Sequence, residues 1–347
     1  MMKASLPPPP QDAVPLPSWV TTNPHVVVWD DGFHPSGVAP GVTTGKMVVD
    51  QHKTSRGLFR IVDDAISDDL AAALHASAVA ARVWGVYVRT TDILDRSLET
   101  YPPSKPEHER HTLALRAVRD FLCDKQVELV IPADDWKHTH GVGVWVITSS
   151  VQDTVAYHMD YAEMFRYQTN ITYPPMYGAT LHVSPLNVSP ESCMTGGDFY
   201  ANSRGLDHYK DHGYKESFAP LPTWEEMASD KTYLRAPYMH KRGIVMDGNF
   251  PHGSTPVTML PPGMHRVVVG LNLFNHEIGP HAEAYPEHSA KFNKYVKVAQ
   301  AAAAKSATLS LASIKKSPQQ AAFLRYLLRK AKEKNLVRNN SFVPCEQ

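Results

Sequence analysis

The residues best placed to do chemistry lie in short stretches far apart in the chain. His158 stands two residues before Asp160 in VAYHMDYAEMFRYQT. With 18 His in 347 residues, roughly one such pair arises by chance, so its meaning depends on the rest of the chain. On a β-strand, residues i and i+2 share a face, about 6–7 Å apart at Cα. An imidazole and a carboxylate so placed can take adjacent positions on one metal ion, and they need a third ligand from elsewhere. The candidate is His252, in GIVMDGNFPHGSTPV.

Arg266 stands C-terminal to His252 and opens HRVVVGLNLF. Between them Leu260-Pro261-Pro262-Gly263 reads as a turn, which predicts a hairpin between the flanking segments. A guanidinium there can bind a carboxylate through two parallel hydrogen bonds, a geometry lysine cannot match. If Arg266 faces inward, Val268, Gly270 and Asn272 face inward with it. Val267, Val269, Leu271 and Leu273 then pack outward against helices, and a one-residue slip would reverse every side chain. Two imidazoles and a carboxylate on one face of an octahedron leave the remaining positions open, the arrangement of non-haem Fe(II) oxygenases.

The ordered set His158-x-Asp160, His252, Arg266 resembles the Fe(II)/2-oxoglutarate-dependent dioxygenases. Gly196-Gly197-Asp198-Phe199-Tyr200 and Pro251-His252-Gly253-Ser254-Thr255-Pro256-Val257 are similar to stretches of the prolyl-hydroxylase-like branch. The resemblance covers about residues 125–275. It implies a mainly β fold, a double-stranded β-helix or distorted jelly roll, buttressed by helices. It implies Fe(II) on His158, Asp160 and His252, with 2-oxoglutarate and O2 as cosubstrates and Arg266 on the far carboxylate of the oxoglutarate. The implied reaction turns 2-oxoglutarate into succinate and CO2 while oxidising an unactivated C–H bond, by hydroxylation or by oxidative cyclisation or desaturation. The plant small-molecule branch carries serine two residues after the arginine, where this chain has Val268. A second carboxylate anchor is therefore expected from Thr180, His182 or Ser254.

The expected substrate is a small, amino-acid-derived metabolite, with Tyr157, Arg166, Tyr173, Tyr200 and Arg204 as candidate contacts because they lie near the motifs. Two other readings keep the fold: an enzyme acting on a protein or peptide side chain, and an inactive binding protein. A cupin-like reading starts from His138-Thr139-His140 but requires glutamate four residues on, where Val144 stands. His138 and His140 are then loop or strand-entry residues. His281-x-Glu283 has no suitably spaced His and Arg after it, and reads as surface.

Helices and strands must hold these residues in place. Residues 1–24 carry Pro7 to Pro10, Pro15, Pro17 and Pro24, an extended arm. A helix is predicted over 67–84, with Ser67 as N-cap and Leu70, Leu74, Ala78 and Ala81 as its apolar stripe. A second is predicted over 106–125, with Leu113, Leu115, Val118 and Leu122 facing a core. From 127 to 275 short apolar runs alternate with turn signals, the pattern of a sandwich or barrel. The catalytic domain is placed at 25–285 and a helical extension at 286–347. That extension has a capping box at Ser317 and a basic helix with Arg325, Arg329, Lys330, Lys332 and Lys334.

Composition narrows the partners. Lys+Arg and Asp+Glu are each 35, a formal net charge of zero, which argues against a general nucleic-acid binder. No apolar run approaches the ~20 residues that span a membrane. Cys123, Cys193 and Cys345 are odd in number and scattered, which predicts no disulfide framework. The expectation is a cytoplasmic enzyme, monomer or homodimer, with a small-molecule substrate and neither nucleic acid nor membrane as partner.

Overall fold

The strand that carries Arg266 sits inside the largest sheet. The computed structural model describes residues 26–29, 45–48, 57–81, 83–94, 106–123, 130–153, 155, 157–162, 171–212 and 223–276. In chain order the strands are β1 (Val26–Trp29), β2 (Gly45–Val48), β3 (Phe59–Val62), β4 (Val83–Arg89), β5 (Gly141–Ser149), β6 (Ile171–Thr172), β7 (Tyr177–His182), β8 (Thr195–Gly196), β9 (Phe199–Asn202), β10 (Tyr233–Ala236), β11 (Gly243–Asp247), β12 (His252–Ser254), β13 (Val257–Met259) and β14 (Arg266–Phe274). The helices are α1 (Asp68–Ala81), α2 (Thr90–Leu94), α3 (Pro106–Val118), α4 (Ala133–Lys137), α5 (Leu206–His212) and α6 (Trp224–Ser229).

The major sheet has the order β3-β11-β7-β14-β5-β4, and every pairing in it is antiparallel. β14 pairs with β5 along its whole length, from Arg266 opposite Ser149 to Phe274 opposite Gly141. On its other edge it pairs with β7, Val268 opposite His182 and Gly270 opposite Thr180. The alternation expected for β14 is observed. Val267, Val269, Leu271 and Leu273 join Val142, Val144, Val146, Ala179 and Leu181 in one core with the helices. Burying such aliphatic side chains is the main stabilising term for the sheet–helix layer, about 25 cal/mol per Å2 of apolar surface.

The helices sit where their sequences direct them. Ser67 Oγ accepts the Leu70 N–H at 3.3 Å, and Asp68 and Asp69 occupy the first turn of α1, where acidic groups favour the helix dipole. Leu70, Leu74 and Ala78 are fully buried in the same core as Leu113, Leu115, Val118 and Leu122. α3 ends in a π-helical turn over Arg119–Cys123. There the buried Arg119 donates from Nε to Ile93 O at 2.7 Å and from Nη2 to Asp92 O at 2.8 Å, satisfying carbonyls at the end of α2.

A second sheet, β10-β9-β12, packs against the inward face of the first. Phe199, Ala201 and Ala236 meet Ile244, Met246 and Phe250 in a separate apolar cluster. Two smaller groups complete the pairing, β8 with β13 and β1-β2-β6. The protein is thus mostly sheet, with α1 and α3 packed on the outer face of the major sheet and α5 and α6 against the second sheet.

Several expectations are corrected. The hairpin across Leu260–Gly263 does not form. The chain does turn there, with Met264 N–H on Pro261 O at 3.1 Å and Gly263 at φ +74°. Both edges of β14 are already taken by β5 and β7, so β13 pairs with β8 instead. The first apolar run expected from 127, VELVIP, contributes no strand among its described residues, only buried Val130 and Ile131. The N-terminal part is more than helices: β3 and β4 form the two edges of the major sheet. β4 is VWGVYVR, whose branched and aromatic residues favour a strand over the tail of a helix. The proline arm, the extension at 286–347 and His281 lie outside the described residues.

Candidate functional site

His158, Asp160 and His252 come together. One ligand atom from each lies within 4.8 Å of the others, and among the described residues no other set of three His, Cys, Asp or Glu side chains does this. The segment holding His158 and Asp160 is not the regular strand expected from its alternation. It is a single antiparallel bridge, His158 opposite His252. His158 N–H donates to His252 O at 2.9 Å, and His252 N–H donates to His158 O at 2.7 Å. The partner β12 is three residues long and gives its other edge to β9; beside the bridge only its Ser254 N–H reaches the same segment, donating to Val155 O at 3.0 Å.

The side chains converge from that bridge. His158 Nε2 is 3.2 Å from Asp160 Oδ1, and His252 Nε2 is 3.6 Å from Asp160 Oδ2. The imidazole centres of His158 and His252 are 4.4 Å apart. His252 Nδ1 lies 3.0 Å from Phe250 O. A carbonyl only accepts, so Nδ1 carries the hydrogen and Nε2 presents a lone pair. Side-chain exposure falls from 33% at His158 to 13% at Asp160 and 5% at His252, so the set is reached from the His158 side.

The electrostatics suit a cation. Burial would raise the Asp160 carboxyl, but His252, the hydrogen bond from His158 and that from Asn272 hold it below its ordinary value. Burial pushes His252 down to about 4, against an upward pull from Asp160 and with a further downward push from His158. The fold therefore presents an ionised carboxylate beside a neutral imidazole, the states a metal ion takes.

Asn272 is a site residue whose role the sequence left unassigned. With its amide turned to satisfy both atoms, its nitrogen donates to Asp160 Oδ2 at 3.0 Å and to Leu271 O at 3.3 Å. It thereby fixes the carboxylate plane. Only the register of β14 reveals this. Trp145 is a second residue that its sequence context does not single out. It stands opposite Gly270 on the inward face, so close that a Cβ on Gly270 would lie 2.1 Å from its indole.

Arg266 is 1% exposed. Its Nε donates to Gly197 O at 3.1 Å, while its Nη1 is buried with no acceptor among the described residues. Burial lowers it to about 10, so it remains a cation at neutral pH. Gly197 has φ +72°, and a Cβ there would come within 2.9 Å of Arg266 Cδ and Nε. That is why glycine stands at 197. Gly253 is required by close approach: a Cβ would sit 2.8 Å from Tyr200 Oη and Val155 O.

The other expected residues fall in different places. Thr180 and His182 are buried on the inward face of β7, opposite Gly270 and Val268. Ser254 Oγ accepts the Val155 N–H at 3.0 Å, pinning the chain ahead of His158. Tyr157 and Tyr200 are corrected from substrate contacts to core. They stack on each other at 5.9 Å within a cluster with Met159, Tyr209, Met227 and Tyr233. Each neighbours the site in sequence, and alternation turns it to the other face of the second sheet. Their cluster surrounds His208, which bonds Tyr157 Oη and Tyr233 Oη, each at 2.8 Å. Tyr173 is likewise packed, bonding Asn275 Oδ1 and the His276 N–H. Arg204 is an exposed turn residue 3.8 Å from Asp211. Arg166 lies outside the described residues. His140 directly precedes β5, with Nδ1 2.9 Å from Tyr87 Oη, and His138 is an exposed turn residue.

No family model and no curated protein matches the sequence. Among solved structures, a Pseudomonas putida prolyl-4-hydroxylase is 13% identical over 64% of this chain and 87% of that one, with a TM-score of 0.37. HygX from Streptomyces hygroscopicus with nickel and 2-oxoglutarate bound is 11% identical over 62% and 82%, with a TM-score of 0.32. AviO1 from Streptomyces viridochromogenes Tue57 is 14% identical over 65% and 92%, at 0.33. Likenesses this distant carry no weight; the geometry of the site does. No helix among the described residues is long and apolar enough to cross a membrane.

The Asn272–Asp160 contact has a measurable consequence. Asn272→Ala should weaken Co(II) binding about tenfold or more, while Asp160→Ala abolishes it; calorimetric titration of each variant with Co(II) checks this. Unchanged affinity in Asn272→Ala would contradict the positioning role.

Acid stability provides a second check. His252 is held down at about 4 and His182 well below its ordinary value, chiefly by burial. The unfolded chain takes up these protons near pH ~6.5, whereas the folded one does not until far lower. Unfolding then gains protons, so stability falls as pH drops from about 6.5 to about 4, at about 1.4 kcal/mol per pH unit for each such group. Metal-free protein should show Tm falling across that window, and His252→Asn should reduce the slope. Equal slopes would contradict a buried, neutral His252.

Proposed function

We propose that the chain is an Fe(II)/2-oxoglutarate-dependent dioxygenase, built on a double-stranded β-helix. The single observation that carries this is the pairing of two features on one inward surface. A His–Asp–His set has open access from one side. A fully buried arginine has a donor unmet among the described residues, on the same face of β14 as the asparagine that orients the set. A buried guanidinium nitrogen without an acceptor is costly, and a ligand carboxylate would supply one.

The donor set fits Fe(II). Two imidazole nitrogens and one carboxylate oxygen suit a borderline divalent cation, and three protein ligands leave room for a chelating cosubstrate and O2. His158, Asp160 and His252 would hold the ion, and Arg266 would pair with the far carboxylate of 2-oxoglutarate. The chemistry such a centre supplies when loaded is RH + 2-oxoglutarate + O2 → ROH + succinate + CO2, or a variant in which two substrate hydrogens leave with the second oxygen atom as water while a ring closes or a double bond forms.

The chain's own residues do the rest. Asn272 keeps the Asp160 carboxylate in one orientation. The Phe250 carbonyl keeps the His252 lone pair aimed at the ion. Gly197 lets the backbone close over the arginine, excluding water from the carboxylate subsite. The substrate proposed is a small, amino-acid-derived metabolite, meeting the inward face of β5 at the half-buried Trp145.

Arg266→Ala tests the reading through succinate formation from 2-oxoglutarate, scanned over small polar amino-acid-like compounds and proline-containing peptides. The wild type should form succinate. Arg266→Ala should lose about 100-fold in kcat/KM for 2-oxoglutarate, and Arg266→Lys should recover only part, since the fork is lost. Turnover that survives Arg266→Ala would instead favour a jelly-roll metalloenzyme that uses no oxoglutarate.

A further inference from the structure

The inward face of β7 and β14 holds two unmet nitrogens, and Arg266 supplies only one of them. His182 Nε2 is also buried with no partner among the described residues, and His182 as a whole is 0% exposed. His182 stands opposite Val268, two residues along β14 from Arg266. Side chains of an opposed pair share a face, and so do residues two apart on one strand. His182 and Arg266 are therefore neighbours on the same surface.

Tyr238 fixes both. Its ring stacks on the His182 imidazole at 4.2 Å and 10°, and the Arg266 guanidinium carbon lies 5.4 Å from the same ring centre. Tyr238 is itself locked, its hydroxyl donating to Val267 O at 2.9 Å and accepting the Ser184 N–H at 3.0 Å. It has no proton left for a ligand. On the other edge of the imidazole, the Met239 N–H points at His182 Nδ1 from 3.4 Å. Nδ1 is then the acceptor, so Nε2 carries the hydrogen of the neutral ring.

The arrangement is one charged donor, Arg266 Nη1, beside one uncharged donor, His182 Nε2, both buried and without an acceptor among the described residues. That complements a single carboxylate: the guanidinium neutralises its charge and the imidazole N–H takes a remaining lone pair. The rival anchors are less well placed. Ser254 already accepts the Val155 N–H on the other sheet. Thr180 is one step farther from Arg266, opposite Gly270.

We infer that His182 is the second anchor for the far carboxylate of the cosubstrate, its Nε2–H donating to that carboxylate alongside Arg266. This rests on the oxygenase reading and accounts for Val268 where the plant small-molecule branch has serine.

The experiment is anaerobic calorimetry of Mn(II)-loaded protein with 2-oxoglutarate, and with pyruvate, which lacks the far carboxylate. His182→Phe keeps the stack on Tyr238 and removes the donor; His182→Gln keeps a donor. The expected result is an affinity loss of about tenfold or more for 2-oxoglutarate in His182→Phe, a smaller loss in His182→Gln, and no change for pyruvate. Equal 2-oxoglutarate affinity in His182→Phe and wild type overturns the inference and leaves the oxygenase reading standing. A parallel loss for pyruvate also overturns it, since the role would then be structural. A wild type that binds Mn(II) but no 2-oxoglutarate sinks the oxygenase reading itself. Should His182→Phe not fold, nitrogen-15 NMR of the Zn(II)-loaded wild type decides. Nε2 should be protonated, and its proton should move downfield and exchange more slowly when 2-oxoglutarate is added. An unprotonated or unmoved Nε2 overturns the inference.

Discussion

Two backbone hydrogen bonds between His158 and His252 hold the centre of this protein together. They join segments almost a hundred residues apart in sequence, and without them the two imidazoles would have no reason to face one ion. Because the bridge is a single pair, it places His158 by position and leaves Asp160 free of any ladder. The carboxylate can then turn toward both imidazoles. Asn272, reaching across from the major sheet, fixes where that turn ends. The three side chains are thus held by two sheets at once: the second sheet supplies the histidine backbone, and the first supplies the constraint on the aspartate.

β14 has the dividing role. Its odd-numbered side chains from Val267 to Leu273 fill the layer under α1 and α3. Its even-numbered side chains place Arg266 and Asn272 on the inward surface. The strength of the outward packing specifies the register, and the register specifies the site, since a one-residue slip would bury Arg266 among aliphatic side chains. The cost of desolvating Arg266 is carried by the fold; Gly197 O and the Tyr238 ring offset only part of it.

Much of this was legible from residue types and spacing. His158, Asp160, His252 and Arg266 stand out because imidazole and carboxylate suit a metal ion and a guanidinium suits a carboxylate, and because their order resembles that of a known family. The alternation of β14 is readable because its outward positions are uniformly aliphatic. The unreadable part depended on which partner each strand takes. The hairpin after His252 failed because β14 had no edge left. Tyr157 and Tyr200 misled because sequence neighbours on a strand face opposite ways. Asn272 and Tyr238 carried no signal: one is an ordinary polar residue, and the other is one tyrosine among 15. Their meaning comes from a register and a ring stack.

The central claim is that one site binds both the ion and the keto acid. Anaerobic titration of the protein with Fe(II) and then 2-oxoglutarate, monitored by visible absorbance, tests it most directly. A weak charge-transfer band from keto-acid chelation is expected, absent in His158→Ala. Bound iron with no such band on adding 2-oxoglutarate would contradict it, and would assign His158, Asp160 and His252 to a different metal chemistry.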